Sequence, residues 1–232
     1  MSLENNKKYL KYMGSKWGGV FLDPSLIYKN DLVISAGLAA DYSLDIQLIC
    51  EFGCKVVGID PTKQAYEEYL KLLNAHRFSK QDFILVRKAL FDTDNKSVTL
   101  GGKAKTIFNK TGEAAITLSM KTLFNTYPHP SLIKLDIEGA EYAVLGSLDT
   151  LPKTVTQLSV GFHHWLNGIT DKYPNDIGRW LYTEEDTKNC IDVFREWGYK
   201  FVYYTNDDPR RGVQEGLFIR RDLATQYAEI TV

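Results

Sequence analysis

A chain of 232 residues, of which 44% are hydrophobic, is long enough for one well-buried α/β domain. The weak sequence breaks along it argue against a division into two domains. Its formal net charge of -1 gives no broad basic field, so nucleic acid is not expected as a partner. Three cysteines without metal-like spacing predict neither a disulfide framework nor a zinc site. Because no apolar run reaches the roughly 20 residues that cross a bilayer and no apolar leader follows the first residues, a cytoplasmic protein is expected.

Apolar runs at intervals that leave room for helices predict seven strands. They cover residues 32–35, 55–59, 83–88, 132–136, 157–162, 201–205 and 216–220. Helical periodicity predicts helices over residues 43–52, 64–75, 140–148 and 183–197. The fold class is therefore α/β, a Rossmann-like doubly wound, mostly parallel seven-stranded sheet with an antiparallel edge strand, in a single domain over residues 1–232.

Three segments lie outside this pattern. Residues 1–30 are predicted to form a peripheral N-terminal segment. Residues 91–117, rich in Gly, Lys, Thr and Asn, and residues 161–182, which mix histidines, tryptophans and glycines, are predicted to be insertions or lids over a substrate.

The ends of the first two strands have the spacing of a nucleoside site. A tight turn admits the cofactor, and a carboxylate 23 residues after Gly37 accepts hydrogen bonds from ribose hydroxyls. Asp41 would repel a pyrophosphate, so the charge favours S-adenosylmethionine over NAD. A helix cap is the alternative for Asp41, and a plain Asp-Pro turn is the alternative for Asp60. The residues predicted to bind the cofactor here are Ser35, Gly37, Leu38, Asp41, Asp60 and Pro61.

The third and fourth strand ends supply further candidates. By topology alone, backbone groups of Lys88 and Ala89 are placed beside the adenine. The fourth strand delivers Asp136 at the edge of the sheet where ligands bind, so Asp136 is predicted to contribute to both chemistry and cofactor binding. Glu138 is a substrate candidate, whereas Glu141 is interpreted mainly as a helix-dipole residue.

Five segments occur in the order of one known family, and on them the chain resembles the FkbM-like methyltransferases. That family is a branch of the class I S-adenosylmethionine-dependent enzymes, which typically methylate hydroxyl groups, often on sugars or natural products. The resemblance implies S-adenosylmethionine as cofactor and a class I methyltransferase domain. The chain departs at Ala39 and Ala40, where a glycine and an acidic residue are usual, and at Gly161, where glutamate is usual. The segments are Trp17–Gly19, Ser35–Asp45, Asp60–Thr62, Lys134–Glu141 and Gln157–His164.

Methyl transfer to a hydroxyl is an in-line displacement, which needs alignment and a proton acceptor. His163 or His164, after the fifth strand and beside Asp136, is the natural base, with an unperturbed pKa near 6.5. The family position favours His163. A divalent metal between Asp136 and a histidine is the lesser alternative, so no metal is predicted.

Trp165 and Asn167 in the following segment offer stacking and hydrogen bonds, which suit a carbohydrate hydroxyl as the methyl acceptor. The function predicted is therefore O-methylation of a sugar or glycosylated metabolite. Two other readings stay open at this point. One is a catalytically weakened domain that still binds S-adenosylmethionine, and the other is an NAD-dependent oxidoreductase.

Overall fold

The computed structural model describes residues 3–101, 112–164, 182–205 and 214–231. The strands in these ranges are β1 Lys11–Met13, β2 Val20–Leu22, β3 Leu32–Ala36, β4 Lys55–Ile59, β5 Phe83–Val86, β6 Ala89–Phe91, β7 Ser97–Leu100, β8 Glu113–Ser119, β9 Leu132–Leu135, β10 Gln157–Gly161, β11 Tyr199–Thr205 and β12 Glu215–Arg220. The α-helices are α1 Leu3–Lys7, α2 Ser43–Gln47, α3 Lys63–Asn74, α4 Met120–Thr126, α5 Glu141–Gly146 and α6 Glu184–Glu196.

Seven of the strands form one sheet in the order β11-β12-β10-β9-β3-β4-β5. The pairs of β10 with β9, β9 with β3, β3 with β4 and β4 with β5 are parallel, whereas β12 runs antiparallel to both of its neighbours. The predicted mostly parallel, doubly wound sheet is therefore confirmed. Its antiparallel strand was expected at the edge, but β12 lies one place inside the edge strand β11, because the last two strands form a hairpin that returns between β10 and β11.

Apolar side chains cover both faces of this sheet. In β3, Val33 belongs to the hydrophobic cluster on one face, and Ile34 belongs to the cluster on the other. This alternation follows from the two-residue period of a strand. Because helices and loops cover both faces, the strands read as continuous apolar runs, which is why their positions are visible in the sequence.

Two predicted segments have more structure than the sequence indicated. The predicted helix 43–52 is α2 followed by a π-helical turn, Leu48–Phe52, which ends at Gly53 with φ +69°. The predicted insertion 91–117 supplies β7 and β8, which pair with β6 in a small sheet of order β6-β8-β7. This small sheet places Leu100 against the cavity described below.

The predicted peripheral segment at the N-terminus is packed against the large sheet. The side-chain amide of Asn6 donates a 2.7 Å hydrogen bond to the Val202 carbonyl, and the Asp23 amide donates one of 2.8 Å to Gln157. Both contacts are buried. None of the helices in the described ranges is long and apolar enough to span a membrane.

Candidate active site

A cavity of about 310 Å³ opens at the carboxyl ends of β3, β4 and β9. The chain leaves β3 and β9 towards opposite sides, so the cavity lies at the topological switch point where doubly wound folds bind ligands. It is lined by Trp17, Gly18, Gly37, Leu38, Ala39, Asp41, Ile59, Asp60, Pro61, Thr62, Gln64, Ala89, Leu90, Leu100, Lys134, Asp136, Ile137 and Glu138.

The turn after β3 can be made only by glycine. Gly37 has φ +82°, and a Cβ atom on it would lie 1.7 Å from the carbonyl oxygen of Asp136. Its amide donates a 3.0 Å hydrogen bond to the Ile59 carbonyl. Gly37 therefore lets the ends of β3, β4 and β9 approach one another closely enough to form the cavity wall.

Asp60 lies in the cavity wall, and both of its carboxylate oxygens are engaged by the protein. Oδ2 accepts hydrogen bonds from the amides of Leu38 and Ala39 at 3.0 and 2.8 Å, and Oδ1 accepts from the amide and hydroxyl of Thr62 at 2.8 and 2.6 Å. Asp60 therefore ties the turn after β3 to the start of α3. Each oxygen thus already accepts two hydrogen bonds, which uses both of its lone pairs, so the binding of a ribose hydroxyl stays a prediction and would have to share or replace one of these bonds.

Asp41 connects the cavity to the N-terminal segment. Its carboxylate accepts a hydrogen bond from the Ser15 hydroxyl and one of 3.0 Å from the Ser43 amide. Burial favours a higher pKa for Asp41, but these hydrogen bonds and the charge of Lys134 bring it below its ordinary value. A negatively charged Asp41 is consistent with its predicted place beside a cationic cofactor.

Lys134 is a site residue that sequence reasoning missed. It is a buried lysine in the strand Leu132–Leu135, whose Nζ donates a 2.9 Å hydrogen bond to the Gly37 carbonyl and lies 3.4 Å from Asp136 Oδ2. Burial favours a lower pKa for Lys134, yet the surrounding carboxylates, led by Asp136 and Asp45, raise it above its ordinary value. The signal for it was a charged residue inside an otherwise apolar strand.

The predicted acidic run forms a strained loop between β9 and α5. Glu138 has φ +57° and Gly139 has φ +100°, so two successive residues lie in the left-handed region. A residue with a Cβ atom in this region costs on the order of 1 kcal/mol or more. The loop is held by Glu141, whose oxygens accept hydrogen bonds from the amides of Ile137 and Gly139 at 2.6 and 2.8 Å.

Glu141 has a further partner that the helix-dipole interpretation did not foresee. Its Oε1 lies 2.9 Å from Nδ1 of His163, and the Glu141 side chain is fully buried. On the other side of the ring, His163 Nε2 lies 3.5 Å from Asp136 Oδ1 and 3.6 Å from Glu138 Oε2. The structure thus brings together Asp136, Glu138 and His163, as predicted, and adds Glu141.

These three carboxylates change the acid-base character of His163. Burial by itself would lower the pKa of the imidazole, but the charge and hydrogen bond of Glu141, followed by Glu138 and Asp136, raise it to about 10. The expectation of an ordinary pKa near 6.5 was therefore wrong, because the sequence does not show how many carboxylates surround the ring. The pKa of Asp136 is lowered. Burial by itself would raise it, but the charges of Lys134 and His163 outweigh that effect.

His164 lies in a different environment. Its Nδ1 is 2.6 Å from the Thr187 hydroxyl and 3.4 Å from the Tyr142 hydroxyl, in a buried cluster beneath α5 and α6. The described residues therefore separate the two histidines, with His163 at the acidic loop and His164 in this hydroxyl cluster. This arrangement supports the preference for His163 as the reactive residue.

Two predicted cofactor residues do not line the cavity. Ser35 is fully buried below it, beside Asp45, whose carboxyl pKa is raised by burial to about 6 against the opposing effect of the Ser35 hydroxyl. Lys88 instead lines a neighbouring groove. The substrate candidates Trp165 and Asn167 lie outside the described residues.

One group of side chains has the composition of a metal site. Asp136, Glu141 and His163 each offer a ligand atom, and these atoms lie within 4.8 Å of one another. Both oxygens of Glu141 already accept hydrogen bonds, and Lys134 already places a cation beside Asp136. The cluster is thus charge-compensated by groups of the chain itself, and the prediction of no metal stays a prediction.

The mostly parallel sheet, the glycine turn and the cavity at the switch point define a Rossmann-like, doubly wound α/β fold. A model of the methyltransferase FkbM domain matches residues 29–201, and the chain belongs to that family. The cofactor of this family is S-adenosylmethionine.

Among the solved structures that are similar to this chain, three have low sequence identity to it. The methyltransferase domain of bacterial CtHen1 is 14% identical, with 84% of this chain and 91% of that chain covered and a TM-score of 0.48. Magnesium protoporphyrin IX methyltransferase (ChlM) from Synechocystis PCC 6803 with bound SAM is 15% identical, with 85% and 73% covered and a TM-score of 0.46. TrmK of M. capricolum is 9% identical, with 90% and 68% covered and a TM-score of 0.44. A search of curated proteins found no match.

Proposed function

We propose that this protein is an S-adenosylmethionine-dependent O-methyltransferase that acts on a hydroxyl group of a sugar or glycosylated metabolite. The observation that supports it best is the contact of His163 with Glu141 and with Asp136, of which Asp136 lines the cavity. A hydroxyl acceptor needs both a group that orients it and a group that takes its proton, and this cluster contains both types.

The charge of the cavity wall fits a cationic cofactor. Among the described residues that line it are four carboxylates and one ammonium group. S-adenosylmethionine carries a sulfonium and an amine, and when bound it supplies an activated methyl group. In this proposal it is held by Gly37, Leu38, Asp41, Asp60, Pro61, Ala89 and Asp136.

In this proposal, His163 is the base that accepts the proton of the acceptor hydroxyl. In its neutral form, a hydrogen bond from Nδ1–H to Glu141 fixes the tautomer and leaves Nε2, on the side of Asp136, as the accepting atom. Glu141 then stabilises the imidazolium that forms, as a carboxylate does in other carboxylate-histidine pairs. Asp136 orients the hydroxyl, and Glu138 contacts the acceptor.

The raised pKa of His163, about 10, limits its availability as a base at neutral pH. At pH 7 His163 is therefore mainly protonated, so the base form is scarce but strong. The expected kcat/KM rises about tenfold for each pH unit until it levels near pH 10. A profile that levels near pH 6.5 would contradict the assignment.

The sugar part of the proposal depends on Trp165 and Asn167, which offer a ring face and an amide. The net charge of -1 favours a small acceptor over nucleic acid, and a cytoplasmic location is part of the same proposal.

Calorimetry with S-adenosylhomocysteine tests the cofactor site. Binding is expected in the wild-type protein and lost in Asp60→Ala, whereas Asp149→Ala, whose side chain is 94% exposed, serves as the matched control. His163→Ala is expected to keep this affinity and lose most turnover on a panel of hydroxyl acceptors. Absence of S-adenosylhomocysteine binding, or full turnover in His163→Ala, would overturn the corresponding step.

The second candidate is a domain that binds S-adenosylmethionine with weakened chemistry. It is favoured by the protonated state of His163 at neutral pH and by Gly161, which brings no carboxylate to the site. It would replace the first proposal if the cofactor binds but no acceptor is methylated up to pH 10. An NAD-dependent oxidoreductase is disfavoured, since the carboxylates of the cavity wall would repel a pyrophosphate.

A further inference from the structure

A second cavity, of about 630 Å³, lies beside the first. Trp17 lines both, and its side chain is 86% exposed. The loop that carries Trp17 is fixed to the cofactor side, because Ser15 Oγ accepts a 3.0 Å hydrogen bond from the Trp17 amide and donates to Asp41. This loop therefore connects the two cavities.

One wall of the second cavity is aromatic. The rings of Tyr12 and Phe21 contact edge to face with centroids 5.1 Å apart, and those of Phe21 and Tyr203 are 4.5 Å apart. Trp17 also lines this cavity. Of these rings, Tyr12 and Trp17 are exposed, and such aromatic faces suit the CH-rich face of a ring-shaped ligand.

Part of the rim of this cavity is polar. Glu215 lines the cavity and accepts a 3.1 Å hydrogen bond from Ser159. Glu215 in β12 pairs with Gly161 in β10. The side chain of Glu215 therefore points to the same face of the sheet as a Cβ atom on Gly161 would.

Gly161 brings this rim to the reactive residues. A Cβ atom placed on it would lie 3.0 Å from Asp136 Oδ1 and 3.5 Å from His163 Cε1. The absence of a side chain at Gly161 therefore leaves the carboxylate of Asp136 uncovered on the side of Glu215. Glu215 therefore lies on the face of the sheet that carries Asp136 and His163.

We propose that the cleft between Trp17 and Glu215 is the acceptor subsite and binds a pyranose ring; this inference rests on the proposed function. The ring lies with one face against the aromatic wall, and its hydroxyls donate hydrogen bonds to Glu215. A planar aromatic acceptor would use the same wall but, apart from the hydroxyl that is methylated, would give Glu215 and Lys16, both at the cavity, few hydroxyl partners. The mixture of aromatic faces and a charged rim favours the sugar.

The test uses ligand-observed saturation-transfer NMR with the methyl glycosides of glucose, galactose, mannose and rhamnose. Saturable binding of at least one glycoside is expected, and Trp17→Ala and Glu215→Gln are each expected to weaken it about tenfold or more. Tyr28→Ala, which removes an aromatic side chain that is 61% exposed and lines neither cavity, is the matched control and should bind normally. Thermal melting confirms that each variant is folded.

S-adenosylhomocysteine binding, measured separately, keeps this inference distinct from the proposed function. Glu215→Gln should retain it, and its loss from the wild-type protein would count against the function and not against the cleft. The inference is overturned if no glycoside binds, if both variants bind glycosides normally, or if 4-methylumbelliferone alone binds in a manner that depends on Trp17.

Discussion

Glu141 Oε1 and His163 Nδ1 are 2.9 Å apart, and this buried contact determines the acid-base state of the site. It joins the first residue of α5 to the segment that follows β10, which are more than twenty residues apart in the chain. The contact can be tested by NMR titration, by the pH dependence of stability and by substitution of the residues involved.

Replacing Glu141 by glutamine keeps the shape and removes the charge. We expect the pKa of His163 to fall from about 10 towards its ordinary value, because Glu141 is the largest factor that raises it. The measurement is an NMR titration of the imidazole Cε1 proton. Glu138→Gln is the control, with a smaller shift, since Glu138 is more distant and partly exposed. An unchanged pKa in Glu141→Gln would contradict this account.

The same contact makes stability depend on pH. The pKa of His163 is raised on folding, so its contribution to the free energy of unfolding is fully present below pH 6.5 and is lost as the pH rises through about 10. Urea denaturation at a series of pH values should therefore show a decline over this window that is much smaller in His163→Gln. Equal declines in the two proteins would show that other groups are responsible.

Gly37→Ala should disrupt the turn at the cavity. The new Cβ would collide with the Asp136 carbonyl, and φ +82° is unfavourable for alanine, so a loss of more than about 3 kcal/mol is expected. Gly146→Ala is the matched control, since nothing lies within 4 Å of its Cβ position. Denaturation and S-adenosylhomocysteine binding measure both effects. Normal behaviour of Gly37→Ala would contradict the close approach of β3 and β9.

Ala39→Gly should raise stability. Ala39 has φ +49°, a conformation that costs an alanine about 1–2 kcal/mol, and glycine removes this strain. The greater conformational entropy of glycine in the unfolded chain offsets roughly 0.4–1 kcal/mol of the resulting gain in stability. Ala40, also exposed but without a positive φ, provides the control, and Ala40→Gly should lower stability. Thermal melting distinguishes the two, and a lower melting temperature in Ala39→Gly would be the opposing result.

Lys134→Met should weaken the junction between the glycine turn and the acidic loop. It removes the donor to the Gly37 carbonyl and the cation beside the partly exposed Asp136, for a loss of about 1–3 kcal/mol. Lys121→Met, which removes an exposed ion pair, should cost almost nothing. Adding Asp136→Asn to Lys134→Met should recover part of the loss in a denaturation experiment, because the uncompensated charge is then removed.

How far the sequence predicts this molecule depends on the range of the interactions involved. The strands at 55–59 and 132–135 are visible because burial on both faces leaves continuous apolar runs, and Gly37 and Asp60 are visible because their spacing is local. Ser35 is fully buried and does not line the cavity, so its role in binding the cofactor stays a prediction. Lys88 lines a neighbouring groove while Ala89 lines the cavity, so the place of the adenine, inferred from topology alone, stays a prediction.

The sequence by itself determined the sheet, its switch point, the family and the acidic loop with His163, because these follow from periodicity and from short motifs. Only the tertiary structure decided that Glu141 contacts His163 and that Lys134 joins Gly37 to Asp136. Pairwise contacts between distant segments, and the pKa values that depend on them, arise from packing and from the combined field of several charges. No single segment of the chain contains that information.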